Sequence, residues 1–546
     1  MLVERQEGLP GRGLFVRSFA DLGTAMILAS MDSVAEATFV IDGTDHWLQT
    51  LLGDPDWLLR GLAKGRARPG RDDLAGLLQC GVDGFRRIVD EARKTWTCAR
   101  PEYFFDADRF ESAHLVLDTA WDVFQEETHR LDPSFHPKVR WLLAQILSRG
   151  APRLVGFSLP GAPDPVTAAV IRELHRRRIP TVGGGWPTLG LDVPGLEHLK
   201  TSWGLDWVAS GPGELVLSSL YELVRRGRPP NVENLVGEGI DEPHLVALRE
   251  LPEWSPKFYG SGGPFFAPAG TVPLSSNAGC YWKRCAFCPQ AYNVHPYIER
   301  RVEFVVRQVE QAVEQADVRH FFFVDECLSP TFAKAFSRAV VGRHLGELHF
   351  ASMVRPETAF GSDLLQDMAR AGFDLLLWGV ESMDQDVLRR MRKGTSPAGI
   401  RRVLEVSWQA GISNYLFLMT GFPGQTMEQT RQTLAFVRSH RQWVDGVQLS
   451  RFVAYAGSEV GRSPALFGVQ LGGPSDRELA SLDVSGGVAP RAEQDAVYED
   501  FRRHYQNYVS GRYPSFPHDR HSSRGLLALL YRRLGAATWS GGGRMS

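Results

Sequence analysis

No run of the chain is apolar for long enough to span a bilayer, so a helical membrane anchor is not expected. The first residues, Met1-Leu-Val-Glu-Arg-Gln-Glu, are charged and hold no apolar targeting core, which points to a cytoplasmic location where thiols stay reduced. Cysteine is sparse, six in 546 residues, and nothing suggests a disulfide framework. An excess of one charge is missing too. A net charge of −2 gives no global field toward nucleic acid or an anionic membrane. What remains is ordinary for a soluble globular protein, with 43% hydrophobic and 23% charged residues. The length exceeds one core, so two or three domains are expected. The 55 Gly and 33 Pro, many at the ends of strand-like runs, suit an α/β protein with many βα turns.

Half of the cysteines fall in one short stretch, Cys280-Tyr-Trp-Lys-Arg-Cys285-Ala-Phe-Cys288. It follows a strand-like run, Thr271–Ser276, and a turn, Asn277-Ala-Gly279. Three thiolates this close can hold three corners of an iron–sulfur cluster and leave the fourth open. Two other readings stand beside this one. A structural zinc site needs a fourth ligand, for which His295 is the nearby candidate. Buried cysteines can also cluster as small hydrophobes. Cys80, Cys98 and Cys327 are scattered and need no role beyond packing.

In the first half, Leu14–Val16 and Ala37–Ile41 read as buried parallel strands, and residues 46–150 are mostly helical in pattern, with an aromatic-faced helix around Thr119–Phe124. Three strand–helix units then follow. Arg153–Ser158 ends in a small polar residue, Ile179–Val182 runs into Gly183-Gly184-Gly185, and Asp206–Ser210 ends at Gly211-Pro-Gly213-Glu214. A helix from about Leu215 to Arg226 follows the third. Such units build a right-handed parallel sheet whose ligands sit at the carboxyl ends of the strands. Residues 227–265, rich in Pro, Gly and charge, read as a linker.

From Val272 strand and helix alternate regularly. Strands are expected at Val272–Ser276, His320–Val324, Leu348–Met353, Asp374–Val380, Tyr415–Met419 and Gly446–Phe452, with helices beginning near Arg301, Thr331, Ser362, Asp384, Ser396 and Met427. Six such units make a partial parallel barrel, with chemistry at the carboxyl rim. That rim carries the three cysteines, Asp325-Glu326, Arg355, Gly379-Val-Glu381-Ser382 and Gly421-Phe-Pro-Gly424. A carboxylate at a strand end is often just a helix N-cap, but five unusual strand ends on one rim form a constellation. Farther on, Ala492–Tyr508 reads as an amphipathic helix, broken by Tyr513–Pro517. Gly525–Leu534 reads as a last helix, and a polar tail begins at Trp539.

Cys280, Cys285 and Cys288 with Phe287, Gly379-Val-Glu381-Ser382 with Met391-Arg-Lys393-Gly394, and Gly421–Thr426 together resemble the radical S-adenosylmethionine (SAM) enzymes. The branch in question carries an N-terminal cobalamin-binding domain, which Ser158, Gly184-Gly185 and Gly213-Glu214 resemble; its Asp-x-His-x-x-Gly cobalt-ligand motif is absent here. The resemblance covers roughly residues 150–460. It departs from the family in a Cys-x4-Cys-x2-Cys spacing where Cys-x3-Cys-x2-Cys is usual, and in Gln425 where relatives often carry Glu.

The resemblance implies a Rossmann-like parallel sheet over 1–230, with a helical insertion, as the cobalamin-binding domain. A linker at 231–265, a partial (β/α)6 barrel at 266–460 and a mostly helical C-terminal cap at 461–546 complete the architecture. It implies a [4Fe–4S] cluster on Cys280, Cys285 and Cys288. SAM would lie against Phe287, Asp325, Glu326, Arg355, Glu381 and Ser382, and cobalamin against Ser158, Gly184, Gly185, Gly213 and Glu214. The activity implied is C-methylation of an unactivated carbon in specialised metabolism. Methionine, 5′-deoxyadenosine and S-adenosylhomocysteine would be the products. Partners would be a small-molecule, carrier-bound or peptide substrate and an electron donor such as flavodoxin or ferredoxin, without nucleic acid or membrane. The alternatives are ring contraction or cyclisation without methyl transfer, a non-catalytic iron–sulfur or cobalamin sensor, and a radical SAM enzyme whose first domain no longer binds cobalamin.

Overall fold

The computed structural model describes residues 2–4, 38–40, 81–96, 137–148, 150–159, 165–185, 191–210, 233–240, 271–292, 296–316, 318–474 and 481–509, with a few single positions between them. The expected strand at Leu14–Val16, the helices at Thr119–Phe124 and Gly525–Leu534, the break at Tyr513–Pro517 and the tail from Trp539 lie outside these residues, as do Cys80, Cys98 and His295.

Among the described residues the first sheet has six strands. They are β1 (Leu2–Glu4), β2 (Thr38–Val40), β3 (Val155–Ser158), β4 (Thr181–Gly184), β5 (Trp207–Ala209) and β6 (Leu235–Gly237), in the order β2-β1-β3-β4-β5-β6. Helices α1 (Gly81–Trp96), α2 (Pro137–Leu147), α3 (Pro165–Arg176) and α4 (Val193–Trp203) accompany it. The three strands read from strand–helix units, β3 to β5, are parallel as expected. The edges differ. β1 pairs antiparallel with both β2 and β3, so β2, in the run around Ala37–Ile41, keeps the sense of β3 to β5 but is paired to an antiparallel neighbour. The stretch read as linker supplies β6, antiparallel to β5. Alternate residues explain why these short strands are apolar throughout. Val155, Phe157, Val208 and Val236 face one cluster with α2, α3 and α4, while Val182, Trp207, Ala209 and Leu235 face another.

The second sheet is wholly parallel and follows chain order. Its strands are β7 (Thr271–Leu274), β10 (His320–Phe323), β11 (His349–Val354), β12 (Phe373–Glu381), β13 (Ser413–Thr420) and β14 (Gly446–Arg451). A small hairpin, β8 (Asn277–Ala278) with β9 (Ile298–Glu299), follows β7. The intervening helices are α5 (Val302–Ala316), α6 (Pro330–Arg343), α7 (Ser362–Ala371), α8 (Gln385–Arg390), α9 (Pro397–Gln409) and α10 (Met427–Ser439). Their starts are written in the sequence. Ser329, Asp384 and Ser396 accept backbone N–H bonds as N-caps, two of them just before a proline, and Thr426 forms a capping box with Gln429.

Both faces of this sheet are buried. Phe321, Phe323, Phe350 and Phe373 meet Phe332 and Phe336 of α6, with the Phe323 and Phe336 rings edge to face at 5.1 Å. Phe322, Ala351, Leu375, Leu377 and Tyr415 fill the inner side. β13 starts two residues before the expected Tyr415 because Asn414, although polar, is fully satisfied. Its amide donates to the carbonyls of Leu404 and Trp443, and its oxygen accepts from Trp378 Nε1 at 2.7 Å.

The C-terminal region departs from the mostly helical expectation. β15 (Ala454–Tyr455), β16 (Gln470–Pro474) and β17 (Ser481–Ser485) form an antiparallel sheet in the order β15-β17-β16, beside the short α11 (Glu459–Arg462). Only then comes α12 (Arg491–Val509), close to its expected bounds. Glycines at Gly472, Gly486 and Gly487 and a proline at Pro474 conceal the strands from a periodicity reading.

One buried pair makes barrel stability pH-dependent. His320 stacks on His349 at 4.7 Å, and His349 Nδ1 lies 2.7 Å from Asp374. Burial, with His349 next, pulls the His320 pKa down to about 3. The unfolded chain therefore binds the extra proton first. Stability is complete above the ordinary histidine pKa and falls as pH drops toward about 3, by up to about 1.4 kcal/mol per pH unit. Urea titrations between neutral and mildly acidic pH should show this slope, and it should flatten in His320→Phe.

Candidate active site

The cysteine loop leaves β8 through Gly279, at φ +79°, and is fastened to three neighbours. Ala286 N–H donates to Met391 O at 2.9 Å, Ala286 O accepts from Val460 N–H at 3.1 Å, and Trp282 Nε1 donates to Arg392 O at 2.9 Å. Ala286 itself is buried among Val387, Met391, Phe422, Val460 and Val469. The residue added between Cys280 and Cys285 is taken up within this arc. Lys283 adopts a left-handed φ of +46°, and Trp282 lies under the Arg355 guanidinium, 4.0 Å from ring centre to Cζ.

Gly394 is the counterpart of that tryptophan. It sits at φ +72°, and a Cβ there would lie 2.0 Å from Trp282 Cζ2. Gly394→Ala should push the indole out, costing about 1–3 kcal/mol, read as a lower urea midpoint together with reduced iron after reconstitution.

The rim groups meet around the thiols. Arg355 is buried, and none of its three guanidinium nitrogens makes a hydrogen bond. Its nearest carboxylate, Glu357, is 3.8 Å away and is itself taken by Tyr281 Oη at 2.6 Å. Arg355 acts electrostatically on Cys280, Cys285 and Cys327. Lys393 Nζ bonds Glu381 Oε1 at 2.9 Å and lies 5.7 Å from the centre of the Phe287 ring. Burial pulls the Lys393 ammonium down, and Glu381 with Cys285 more than reverse this, so its pKa ends above the ordinary value. Gly379 makes room for Lys393, since a Cβ there would fall 2.8 Å from Nζ. Glu326 accepts from Gln290 at 3.1 Å; burial, then Cys280, raises its pKa.

Two of the expected SAM residues point elsewhere. The Asp325 carboxylate accepts from the backbone N–H of Ser276 and Asn277 and from the Ser276 hydroxyl, so it ties β10 to the β7 turn. Burial lifts its pKa to about 6 against those hydrogen bonds. Ser382 is buried, lies 3.4 Å from Thr433 Oγ1 of α10, and accepts from Asp384 N–H. Phe287, Glu326, Arg355 and Glu381 thus stand together with the cysteines, whereas Asp325 and Ser382 hold the scaffold.

The thiols are electrostatically distinct. Cys280 is drawn down to about 6, chiefly through its interaction with the Cys327 side chain. Burial pushes Cys285 and, more strongly, Cys288 upward. Among the described residues no three His, Cys, Asp or Glu side chains converge on a point where one ion could be held. In an iron–sulfur cluster each thiolate binds its own iron, so three ligands need not converge on one point; His295, the fourth-ligand candidate of the zinc reading, lies outside the described residues. The unbonded, buried guanidinium fits an anionic occupant of the same space.

On the first sheet, Ser158 and Gly184 are register partners at the ends of β3 and β4. Gly185 needs its glycine for a φ of +113°. At Gly184 a Cβ would make ordinary contacts of 3.5 Å, so the fold itself does not demand glycine there. Gly213 and Glu214 lie outside the described residues.

Residues 274–437 match the Radical SAM superfamily. The chain carries a radical SAM domain. A curated relative, an uncharacterized methyltransferase from Pyrococcus horikoshii, is 22% identical over 344 residues, 58% of this chain and 70% of its own. Among solved structures, the radical SAM methyltransferase TsrM from Kitasatospora setae, with cobalamin and a [4Fe–4S] cluster bound, aligns at a TM-score of 0.55. The identity is 17%, over 74% of this chain and 92% of TsrM. The cobalamin-dependent radical SAM enzyme OxsB, with aqua-cobalamin bound, aligns at 0.54 with 15% identity, over 68% and 65%. These two likenesses extend the fold beyond the radical SAM domain. Within that domain Lys393 and Cys327 gain places at the site that sequence reading did not give them. Lys393 belongs to the Met391–Gly394 motif, and Cys327 directly follows Asp325-Glu326 at a strand end, which is the signal the sequence offers. Among the described residues no helix is long and apolar enough to cross a membrane.

Proposed function

We propose that the protein is a cobalamin-dependent radical SAM C-methyltransferase acting on an unactivated carbon in specialised metabolism. The observation that carries this reading is the buried Arg355 guanidinium, without a hydrogen bond, among thiols on the rim of a radical SAM domain. The methyltransferase name of the curated relative and the overall fold shared with TsrM and OxsB support the methyl-transfer and cobalamin parts.

In this reading Cys280, Cys285 and Cys288 hold a [4Fe–4S] cluster. When bound, the cluster, SAM and cobalamin supply reductive C–S cleavage and a transferable methyl group. The chain's own residues bind and orient. Arg355 takes the SAM carboxylate in a charge-assisted pair, Glu326 accepts from its ammonium, and Phe287 lies along the adenine. Glu381, held by Lys393, faces the ribose hydroxyls. Asp325 and Ser382 act indirectly, by fixing the β7 turn and the start of α8. Ser158, Gly184 and Gly185 line the cobalamin slot, with Gly184 small for the ligand's sake, and Gly213 with Glu214 belong to the same slot. The substrate is a small molecule or one borne on a carrier or peptide. A flavodoxin or ferredoxin supplies electrons, and the reaction takes place in the cytoplasm. The domains follow as cobalamin-binding over 1–230, linker over 231–265, radical SAM over 266–460 and a cap over 461–546.

Anaerobic reconstitution with iron, sulfide and cobalamin, followed by mass spectrometry of SAM-derived products, tests this. Methylation yields 5′-deoxyadenosine and S-adenosylhomocysteine together. The first without the second would favour rearrangement, and neither, on a loaded cluster, would leave a sensor.

A further inference from the structure

An open groove of about 600 Å³ lies against the cysteine loop, between the arc Trp282–Arg284 and α8 with the residues that follow it as far as Thr395. Four cations line it, Lys283, Arg284, Arg389 and Arg392, against one carboxylate, Glu459. Arg284, Arg389 and Arg392 are exposed, whereas Glu459 is buried and pairs with Arg392 at 2.7 Å. Beside the groove, Asp386 pairs with Arg389 at 2.8 Å. Four cations against these two carboxylates leave a local positive excess, on a chain whose net charge is −2. Pockets for small molecules are lined mainly by hydrophobic and aromatic side chains. Of the ten lining residues here, only Trp282 and Leu388 offer large apolar side chains.

Trp282 joins this groove to the thiol site. Its ring lines the groove, and its centre lies 5.1 Å from Arg284 Cζ and 4.0 Å from Cζ of the buried Arg355. One aromatic ring thus spans from the groove to the guanidinium among the thiols. We propose that the groove is the docking surface of a small acidic protein that carries a one-electron redox centre. The inference rests on the cluster reading above and gives its electron donor a place. Three features support it. Positive charge gathered on one face speeds the encounter with an acidic partner. Arginine and tryptophan are the side chains that most often anchor protein interfaces. Finally, the arc that carries the extra residue between Cys280 and Cys285 is the arc that supplies Trp282, Lys283 and Arg284 to the lining, so the departure from the usual spacing acquires a use.

The step is a single electron transfer. One electron leaves the reduced centre of the docked protein, which is oxidised by one unit, and enters the cluster, which is reduced by one. No bond forms or breaks, and the groove neither gives nor takes a proton. Redox encounters of this kind use small, transient interfaces, which suits a groove edged by exposed charges.

The test mixes the anaerobically reconstituted enzyme with photoreduced flavodoxin, an acidic one-electron carrier, and follows cluster absorbance by stopped flow. Reduced methyl viologen, a small cation, is the control. Arg284→Glu/Arg389→Glu should slow reduction by flavodoxin about tenfold or more at low salt without slowing reduction by methyl viologen. Arg392 is spared because it neutralises the buried Glu459. The wild-type rate with flavodoxin should fall as salt rises, and that of the charge-reversed variant should not. Arg284→Lys/Arg389→Lys, which keeps the charge, should keep the rate. An unchanged flavodoxin rate in the charge-reversed variant overturns the proposal. So does an equal loss with both reductants, which would trace the effect to the cluster and not to docking. Pyrophosphate binding that disappears in the charge-reversed variant while its flavodoxin rate is unaltered identifies a small-anion site instead. If the wild type assembles no cluster, the underlying reading fails by itself. Calorimetry then still decides the docking surface, since salt-sensitive flavodoxin binding should be present in the wild type and absent from the charge-reversed variant.

Discussion

Cys288→Ala should leave reconstituted protein with background iron and no detectable 5′-deoxyadenosine. The reason lies in the environment of that sulfur. Cys288 is the thiol that burial pushes furthest above its ordinary pKa among the three of the motif, with Glu326 and Cys285 adding to the shift. As a free side chain it stays protonated at neutral pH, and it yields its proton only to a metal that repays the buried charge. Among the described residues the one thiol outside the motif, Cys327, acts on Cys280 and not on Cys288. Iron and sulfide analysis beside product mass spectrometry checks this. A Cys288→Ala protein that still carried a full cluster would sink the ligand assignment.

The second large effect is on stability. Lys393→Met should cost about 3–5 kcal/mol, seen as a lower urea midpoint with an unchanged slope. Lys393 and Glu381 form an ion pair with side chains 7% and 12% exposed, so removing the cation leaves a carboxylate with little access to water. The pair also restrains Glu381 at a φ of +62°, a left-handed conformation costing about 1–3 kcal/mol in a residue with a side chain. Glu381→Gly separates the two contributions, since it relieves the backbone but strands the ammonium. The double variant Glu381→Leu/Lys393→Met should recover much of the single-variant loss. A cost for Lys393→Met typical of an exposed pair, about 1 kcal/mol or less, would contradict the burial argument.

The barrel was legible because each unit announces itself twice, once through an apolar run and once through a cap. His320-Phe-Phe-Phe323 is apolar on both faces, and Ser329-Pro330 and Ser396-Pro397 mark helix starts whatever the tertiary context. Strand direction at a sheet edge carries no such mark. Nothing local in Thr38–Val40 distinguishes an antiparallel edge strand from a parallel one, and Leu235–Gly237 is too short to stand out from its Pro- and Gly-rich surroundings. At the site, residue type and strand end selected the right neighbourhood but not side-chain direction. Asp325 and Glu326 are adjacent, yet one turns to the Ser276 backbone and the other to Gln290 near the thiols. Cys327 reads in the sequence as a packing residue because Cys280, with which it interacts, lies far away along the chain.

The six-stranded sheet does not close on itself. Among the described residues β7, on which the cysteine loop is mounted, has a single strand neighbour, β10, through four residue pairs. An edge strand with one ladder is the part of a sheet most readily peeled away, and peeling it would carry the thiols off with it. On the proposed assignment, a cofactor gripped by those thiols, in a loop already fastened to Met391, Arg392 and Val460, would also work as a hem. It would sew the free margin of the sheet to the segments after β12 and β15, so that loading the centre and finishing the fold would become one event.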